Sequence, residues 1–302
     1  MEDMRALVAV VEEGSLAHAA ARLHLTQPAI TRRIQRLEED LQAVLLDREQ
    51  RPSKPTRDGL RAYRECVSIL RASDQLREVV GGRIETELRI GISYALADRF
   101  VSPLFNRSRA ISPDLMLEFT SERSGALREM LAQQRLDAAI VLLEDHQRPD
   151  PREHPIAIGT EGVRITAGRG MDVPAAGSLA DYAAFPWIIN PDGCGYRKTL
   201  DRRLRELGIP MTVAASVWGL PLQLQLIAEG AGIGLIPQSI ALSERWRDRV
   251  AVPAVDDFAP TLDVWLVRAG HLGGLSAAVE GLAEIVAEEL RASSDAPSPI
   301  PA

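Results

Sequence analysis

The chain has 302 residues, a formal net charge of −7, 46% hydrophobic residues and two cysteines, Cys66 and Cys194. That length suits two or three domains with real cores, and two distant cysteines in no ligand spacing exclude a disulfide framework or a zinc site from the expectations. No run of about 18 apolar residues is present, and Met1–Met4 lacks the basic-then-apolar order of an export signal, so a cytoplasmic protein with no membrane span is expected.

Met4, Leu7, Val8 and Val11 recur at helical spacing, and Gly14–Ser15 reads as a helix stop followed by a new N-cap. A short second helix buries Leu16, Ala19, Ala20 and Leu23. After the turn "HLT", Thr26 is placed as N-cap and Pro28 in the first turn, where its missing N–H costs nothing. In the third helix Ile30, Ile34, Leu37 and Leu41 share one face, while Pro28, Thr31, Arg32, Gln35 and Arg36 share the opposite one. Between Gly14 and Leu37 stand Arg22, Arg32, Arg33 and Arg36 and no carboxylate. Such a pair of helices can be a helix-turn-helix whose second member enters the DNA major groove, or an amphipathic surface helix with solvated arginines. The stretch "LLDREQRPSKPTRDG" then offers Arg48, Arg51, Lys54 and Arg57, with prolines that suit a two-strand wing touching phosphate or minor groove, or a plain charged loop.

"EEGSLAHAAARLHLTQPAITRRIQRLEEDLQAVLLDR" followed by "PTRDG" resembles the N-terminal winged helix-turn-helix of LysR-type transcriptional regulators. The resemblance implies DNA contact by Gln27, Pro28, Thr31 and Arg32. Gln35 and Arg36 on the outer face, and Arg48 and Arg51 in the wing, join them as candidates from their placement. Leu46 stands where the family usually has phenylalanine, and Thr56 follows a proline rather than an apolar residue, both of which bear on wing packing.

From Thr56 to about Val80 the pattern is one long helix, roughly 38 Å at the standard rise. Leu60, Tyr63, Val67 and Leu70 make a seam on it, for a second copy or for its own chain. The resemblance implies a dimer through this helix, and Gly81–Arg83 reads as a hinge. From Glu87 strands and helices alternate, which indicates α/β with a largely parallel sheet. "QQRLDAAIV" and "LIAEGAGIGLIP" resemble the LysR effector-binding domain, itself similar to periplasmic solute-binding proteins.

The expected architecture is therefore multidomain α/β: a winged helix-turn-helix (1–58), a linker and dimerisation helix with hinge (59–83), and a two-lobed effector domain (84–292). Lobe I is drawn as 84–159 plus 268–292, lobe II as 160–267, and 293–302 as a disordered tail. Strand ends beside helix starts place the effector candidates: Ser93, Tyr94, Arg123, Ser124, Asn190, Cys194 and Trp218. Each serine or asparagine could equally cap a helix. The expected partners are double-stranded DNA, an anionic small molecule and further copies of the chain, as a homodimer or homotetramer. A solute-binding module and a thiol sensor at Cys194 are the rival readings. "GAGIG" precedes a strand instead of opening a helix, and no catalytic or metal constellation has a context, so no enzyme activity and no cofactor are expected.

Overall fold

The computed structural model describes residues 1–47, 53–81, 86–111, 113, 115–144, 147–191, 195–270 and 272–294. The chain divides into two compact units, Met1–Thr86 and Glu87–Ala302.

In the first unit α1 (Glu2–Glu13), α2 (Leu16–Arg22) and α3 (Gln27–Leu41) are followed by β1 (Leu46–Asp47), β2 (Lys54–Pro55) and α4 (Arg57–Gly81). Gly14, at φ 62, takes the left-handed conformation that ends α1 without a Cβ clash. Ser15 accepts from the His18 N–H at 3.5 Å to start α2. Thr26 occupies the N-cap position of α3 as expected, but its hydroxyl makes no capping bond. Ala6, Leu7, Val10, Ala19, Ala20, Ile30, Ile34 and Leu37 form the core with Leu45, Leu46 and Cys66. Leu46 thus fills its packing position although it is smaller than phenylalanine. β1 and β2 pair antiparallel, Leu46 opposite Pro55 and Asp47 opposite Lys54.

Two polar side chains fasten this small hairpin to its helices. Glu38 of α3 accepts the N–H groups of Leu45 and Leu46 at 2.8 and 3.3 Å. The Thr56 hydroxyl donates to the Val44 carbonyl at 2.7 Å and accepts the Gly59 N–H at 2.9 Å, capping α4. Gly59 is required there, because a Cβ would stand 1.9 Å from the Leu45 carbonyl oxygen.

The seam drawn on α4 needs correction. Tyr63, Val67 and Leu70 are buried within the single chain, and the Tyr63 hydroxyl donates to Glu12 at 3.2 Å. Spacing identifies an apolar stripe but not what covers it. Leu60, the first residue of that seam, stays exposed, and among the described side chains of α4 Ile69, Ala72 and Leu76 are also exposed, at heptad-like spacing.

The second unit contains β3 (Thr86–Ser93), α5 (Tyr94–Ile111), β4 (Leu115–Glu122), α6 (Ser124–Ala132), β5 (Ala138–Glu144) and β6 (Ile156–Gly168). Then come β7 (Ala176–Gly177), α7 (Leu179–Ala183), β8 (Trp187–Ile189), α8 (Gly195–Glu206), β9 (Val213–Ser216) and α9 (Leu220–Ala228). β10 (Gly234–Pro237), α10 (Gln238–Ala241), β11 (Val250–Ala251), β12 (Ala254–Val255), β13 (Thr261–Arg268) and α11 (Ser276–Ser294) complete it.

The main sheet runs β10-β6-β13-β5-β3-β4, with β11 also on β6. It is mixed, not largely parallel as expected: β3 and β5 are parallel, whereas β13 lies antiparallel to both β5 and β6, and β10 antiparallel to β6. β13 pairs with β5 from Leu262 opposite Glu144 to Arg268 opposite Ala138. It pairs equally with β6, from Thr261 opposite Gly162 to Leu266 opposite Ile156, so the expected boundary at 267 falls inside this strand. The expected tail from Ser293 likewise starts inside α11, while 295–302 lie outside the described residues.

β5 sits between two layers. Ala138, Ile140 and Leu142 face the core shared with α5 and α11, and Ala139 and Val141 face Leu127 and Leu131 of α6. That alternation buries both faces, at about 1.5–3 kcal/mol for each large apolar side chain removed from water. The second lobe is built on the parallel pair β8–β9, which joins β10 through a bridge between Trp187 and Ile233, with α9 and α10 packed beneath.

Candidate DNA-reading face and effector cavity

On α3 the residues Gln27, Pro28, Arg32, Gln35 and Arg36 are exposed, and Thr31 is half-buried with its hydroxyl donating to the Gln27 carbonyl at 3.1 Å. The arginines of the acid-free segment divide into two kinds. Arg22 pairs with Glu12 at 2.6 Å and Glu13 at 3.3 Å, Arg33 with Glu2 at 2.8 Å, and Arg36 with Asp3 at 3.3 Å. All these acids come from α1. Arg32 has no ion-pair partner among the described residues. Exposed pairs of this kind contribute about 0–1 kcal/mol each, so a phosphate can replace Asp3 at Arg36 at little cost. Arg48 and Arg51 lie outside the described residues.

In the second unit the parallel strands β3 and β5 bring their C-terminal ends to one edge, where α5 and α6 begin. A cavity of about 210 Å³ opens there. Ser93, Tyr94, Arg123 and Ser124, four of the seven effector candidates, line it. Ser93 is only 4% exposed. The Ser124 oxygen accepts the Leu142 N–H at 2.9 Å, which ties the start of α6 to β5.

Trp218 does not line the cavity. It stands at the rim, edge-on to the Tyr94 ring with centroids 6.2 Å apart, and with the Arg123 guanidinium carbon 5.4 Å from its own ring centroid. Asn190 does not reach the cavity wall either. It is buried, and its amide nitrogen donates to the Val217 carbonyl at 3.2 Å, joining the ends of β8 and β9. Cys194 lies outside the described residues. Burial pushes the thiol of Cys66, in the first unit, above its ordinary value, which disfavours the reactive thiolate.

Residues that strand-end reasoning missed complete the wall: Arg128, Glu144, Gln147, Tyr196 and Lys198. Glu144 is the last residue of β5, so the rule that found Ser93 could have found it. Tyr196 and Lys198 come from α8 of the second lobe, so both lobes contribute to the wall.

Elsewhere in the second unit Arg99 of α5 pairs with Glu161 of β6 at 3.1 Å, and Glu161 also accepts the Ser239 N–H and hydroxyl at 3.1 and 2.9 Å. Burial is the main cause that raises the Glu161 carboxyl and lowers the Arg99 guanidinium from their ordinary values. Among the described residues no cluster of side chains could hold a metal ion, and no helix is long and apolar enough to cross a membrane.

A helix-turn-helix with an exposed polar face and a polar cavity walled by two lobes define a DNA-binding regulator that responds to a small molecule. Residues 1–60 match the bacterial regulatory helix-turn-helix protein family named lysR, and residues 81–291 match the LysR substrate binding domain, so the chain belongs to the LysR family of transcriptional regulators. It is 34% identical over 251 residues to the regulator BenM of Acinetobacter baylyi, covering 79% of this chain and 80% of that protein. ArgP of Mycobacterium tuberculosis has a similar fold at a TM-score of 0.74, with 22% identity and 95% and 97% of the two chains covered. Full-length LysG of Corynebacterium glutamicum with bound effector Arg is similar at a TM-score of 0.71, with 18% identity over 95% and 97% of the two chains.

Proposed function

We propose that this regulator binds an anionic effector between its two lobes and reads DNA as a homodimer or a pair of dimers in the cytoplasm. One observation carries the effector reading: Ser93, Tyr94, Arg123 and Ser124, singled out as strand ends, border one cavity whose opposite wall belongs to the second lobe. On DNA, Gln27, Pro28, Thr31, Arg32, Gln35 and Arg36 meet base edges and phosphates, with Arg48 and Arg51 of the wing beside them. The exposure of the α3 face supports this, and Arg32, with no acid to release, is its strongest element. The Ile69–Ala72–Leu76 stripe supports assembly through α4. A two-fold dimer reads inverted half-sites.

Footprinting the full chain on genomic fragments, with and without metabolite extracts, tests the proposal. The expected result is a paired, inverted footprint whose extent changes with one extract fraction, a change that Arg123→Gln abolishes. A single asymmetric half-site, or a response that survives Arg123→Gln unaltered, would overturn it.

A further inference from the structure

Three charged groups on the cavity wall have no ion-pair partner among the described residues. Arg123 meets the face of Trp218 and has no ion pair among the described residues. Lys198, exposed on α8, and Glu144, at the end of β5, also have no ion-pair partner among them. Arg128 differs: Glu153 closes it through two contacts of 2.9 Å, so that pair adds no net charge. Among the described residues the free groups are therefore two cations and one carboxylate.

A ligand entering this cavity sheds water from its own charges and from these. An ion moved out of water without a partner costs more than its other contacts return, so the best occupant matches the wall in both sign and number. A simple anion would leave Glu144 facing it unpaired. The space is also small, below the roughly 300–1,000 Å³ that drug-sized ligands occupy. Hydrogen-bond capacity points the same way. The Ser124 oxygen is engaged by the Leu142 N–H, which leaves its proton to donate, and the buried Ser93 hydroxyl bonds no described residue. Both can donate to an acid group.

We propose that the effector is a small amino diacid: an ammonium held by Glu144 and two acid groups held by Arg123 and Lys198. This rests on reading the cavity as the effector site. Glu144 is then the specificity residue that selects amine-bearing ligands over plain diacids.

Calorimetric titration of the full chain with L-glutamate, L-aspartate and 2-aminoadipate, each beside its amine-free diacid and its side-chain amide, tests the inference. One amino diacid should bind at least about tenfold more tightly than both of its analogues. Glu144→Gln, close to isosteric, should erase the preference for the amine while leaving the melting temperature of the second unit unchanged. Lys198→Met should erase the preference over the amide. Amine-free diacids that bind as well as their amino counterparts, or no binding by any amino diacid, would overturn the assignment. Arg123→Gln separates the two levels. Diacid binding lost in that variant leaves the cavity as the effector site and removes only the amine. An operator-modulating ligand that still binds Arg123→Gln unchanged removes both.

Discussion

Replacing Gly59 by alanine would test how the reading head is held together. The new Cβ would lie 1.9 Å from the Leu45 carbonyl oxygen, 2.9 Å from its carbon and 3.2 Å from its Cα. These are backbone atoms of a residue 1% exposed, so no side chain can rotate away. The start of α4 must retreat by roughly 1 Å, and overpacking of that kind costs about 1–3 kcal/mol, here toward the upper end. The same movement pulls the Gly59 N–H from the Thr56 hydroxyl, now 2.9 Å away, and so loosens the hairpin. For a unit of this size, a loss of about 3 kcal/mol lowers the melting midpoint by on the order of 10–20 °C. The assay is built into the chain, because Trp187, Trp218, Trp246 and Trp265 all belong to the second unit. In Gly59→Ala the helical circular-dichroism signal should gain an early transition while the tryptophan signal melts as before. Operator affinity should fall with the early phase. A helical transition coincident with that of the unaltered protein, together with undiminished operator binding, would refute the steric reasoning.

Arg32→Ala should cost about 1–3 kcal/mol of specific operator binding if the arginine reads a guanine, and should relax selectivity at one position of each half-site; binding to the operator and its point variants by gel shift decides this. Asn190→Ala should lower the stability of the second unit through the lost bond to Val217 and leave the rank order of ligands unchanged, since Asn190 does not line the cavity; a changed rank order in calorimetry would return Asn190 to the site. Burial raises the Glu161 carboxyl, so the folded chain holds that proton more tightly than the unfolded chain, and stability falls as pH rises through the window just above an ordinary glutamate. Glu161→Gln should be less stable overall, with Arg99 left buried and unpaired, but should lack that downward slope; urea midpoints of the two proteins that run parallel across pH 4–7 would contradict it.

Local signals were legible where the physics is local. The four-then-three spacing of Ile30, Ile34 and Leu37 and the stop at Gly14 depend only on neighbours in the chain, and the elements stand where they place them. The strand-end rule found Ser93 and Ser124 for the same reason: a strand followed at once by a helix fixes both. What stayed hidden depends on distant partners. Arg33 and Glu2 are 31 positions apart, so the acid-free segment looks more cationic in sequence than it is in space. Glu38 reads as one acid in "EED", yet it fastens the hairpin. The direction of β13 depends on how its connection crosses the sheet, and a strand's composition carries no record of that. Asn190 has the right residue type in the right place for a ligand contact, and only the position of Val217 shows that its amide is already used.

β6 carries the first half of its ladder on β13, through Gly162 opposite Thr261, and the second half on β10, from Val163 opposite Pro237 to Thr166 opposite Gly234. One strand thus belongs to both lobes, and a genetic junction at Gly162–Val163 parts one ladder from the other. A hybrid that took its lobes from two different ancestors would have to match register on both sides of Gly162 or leave buried N–H and C=O groups without partners. Recombination between relatives is therefore a poor route to a new ligand response in this architecture. Point substitution at the strand tips is a cheap one: exchanging Ser93, Arg123 or Glu144 alters the cavity and breaks no ladder. On this basis descent should preserve β6 and its two neighbours as a block while the tips around them diversify.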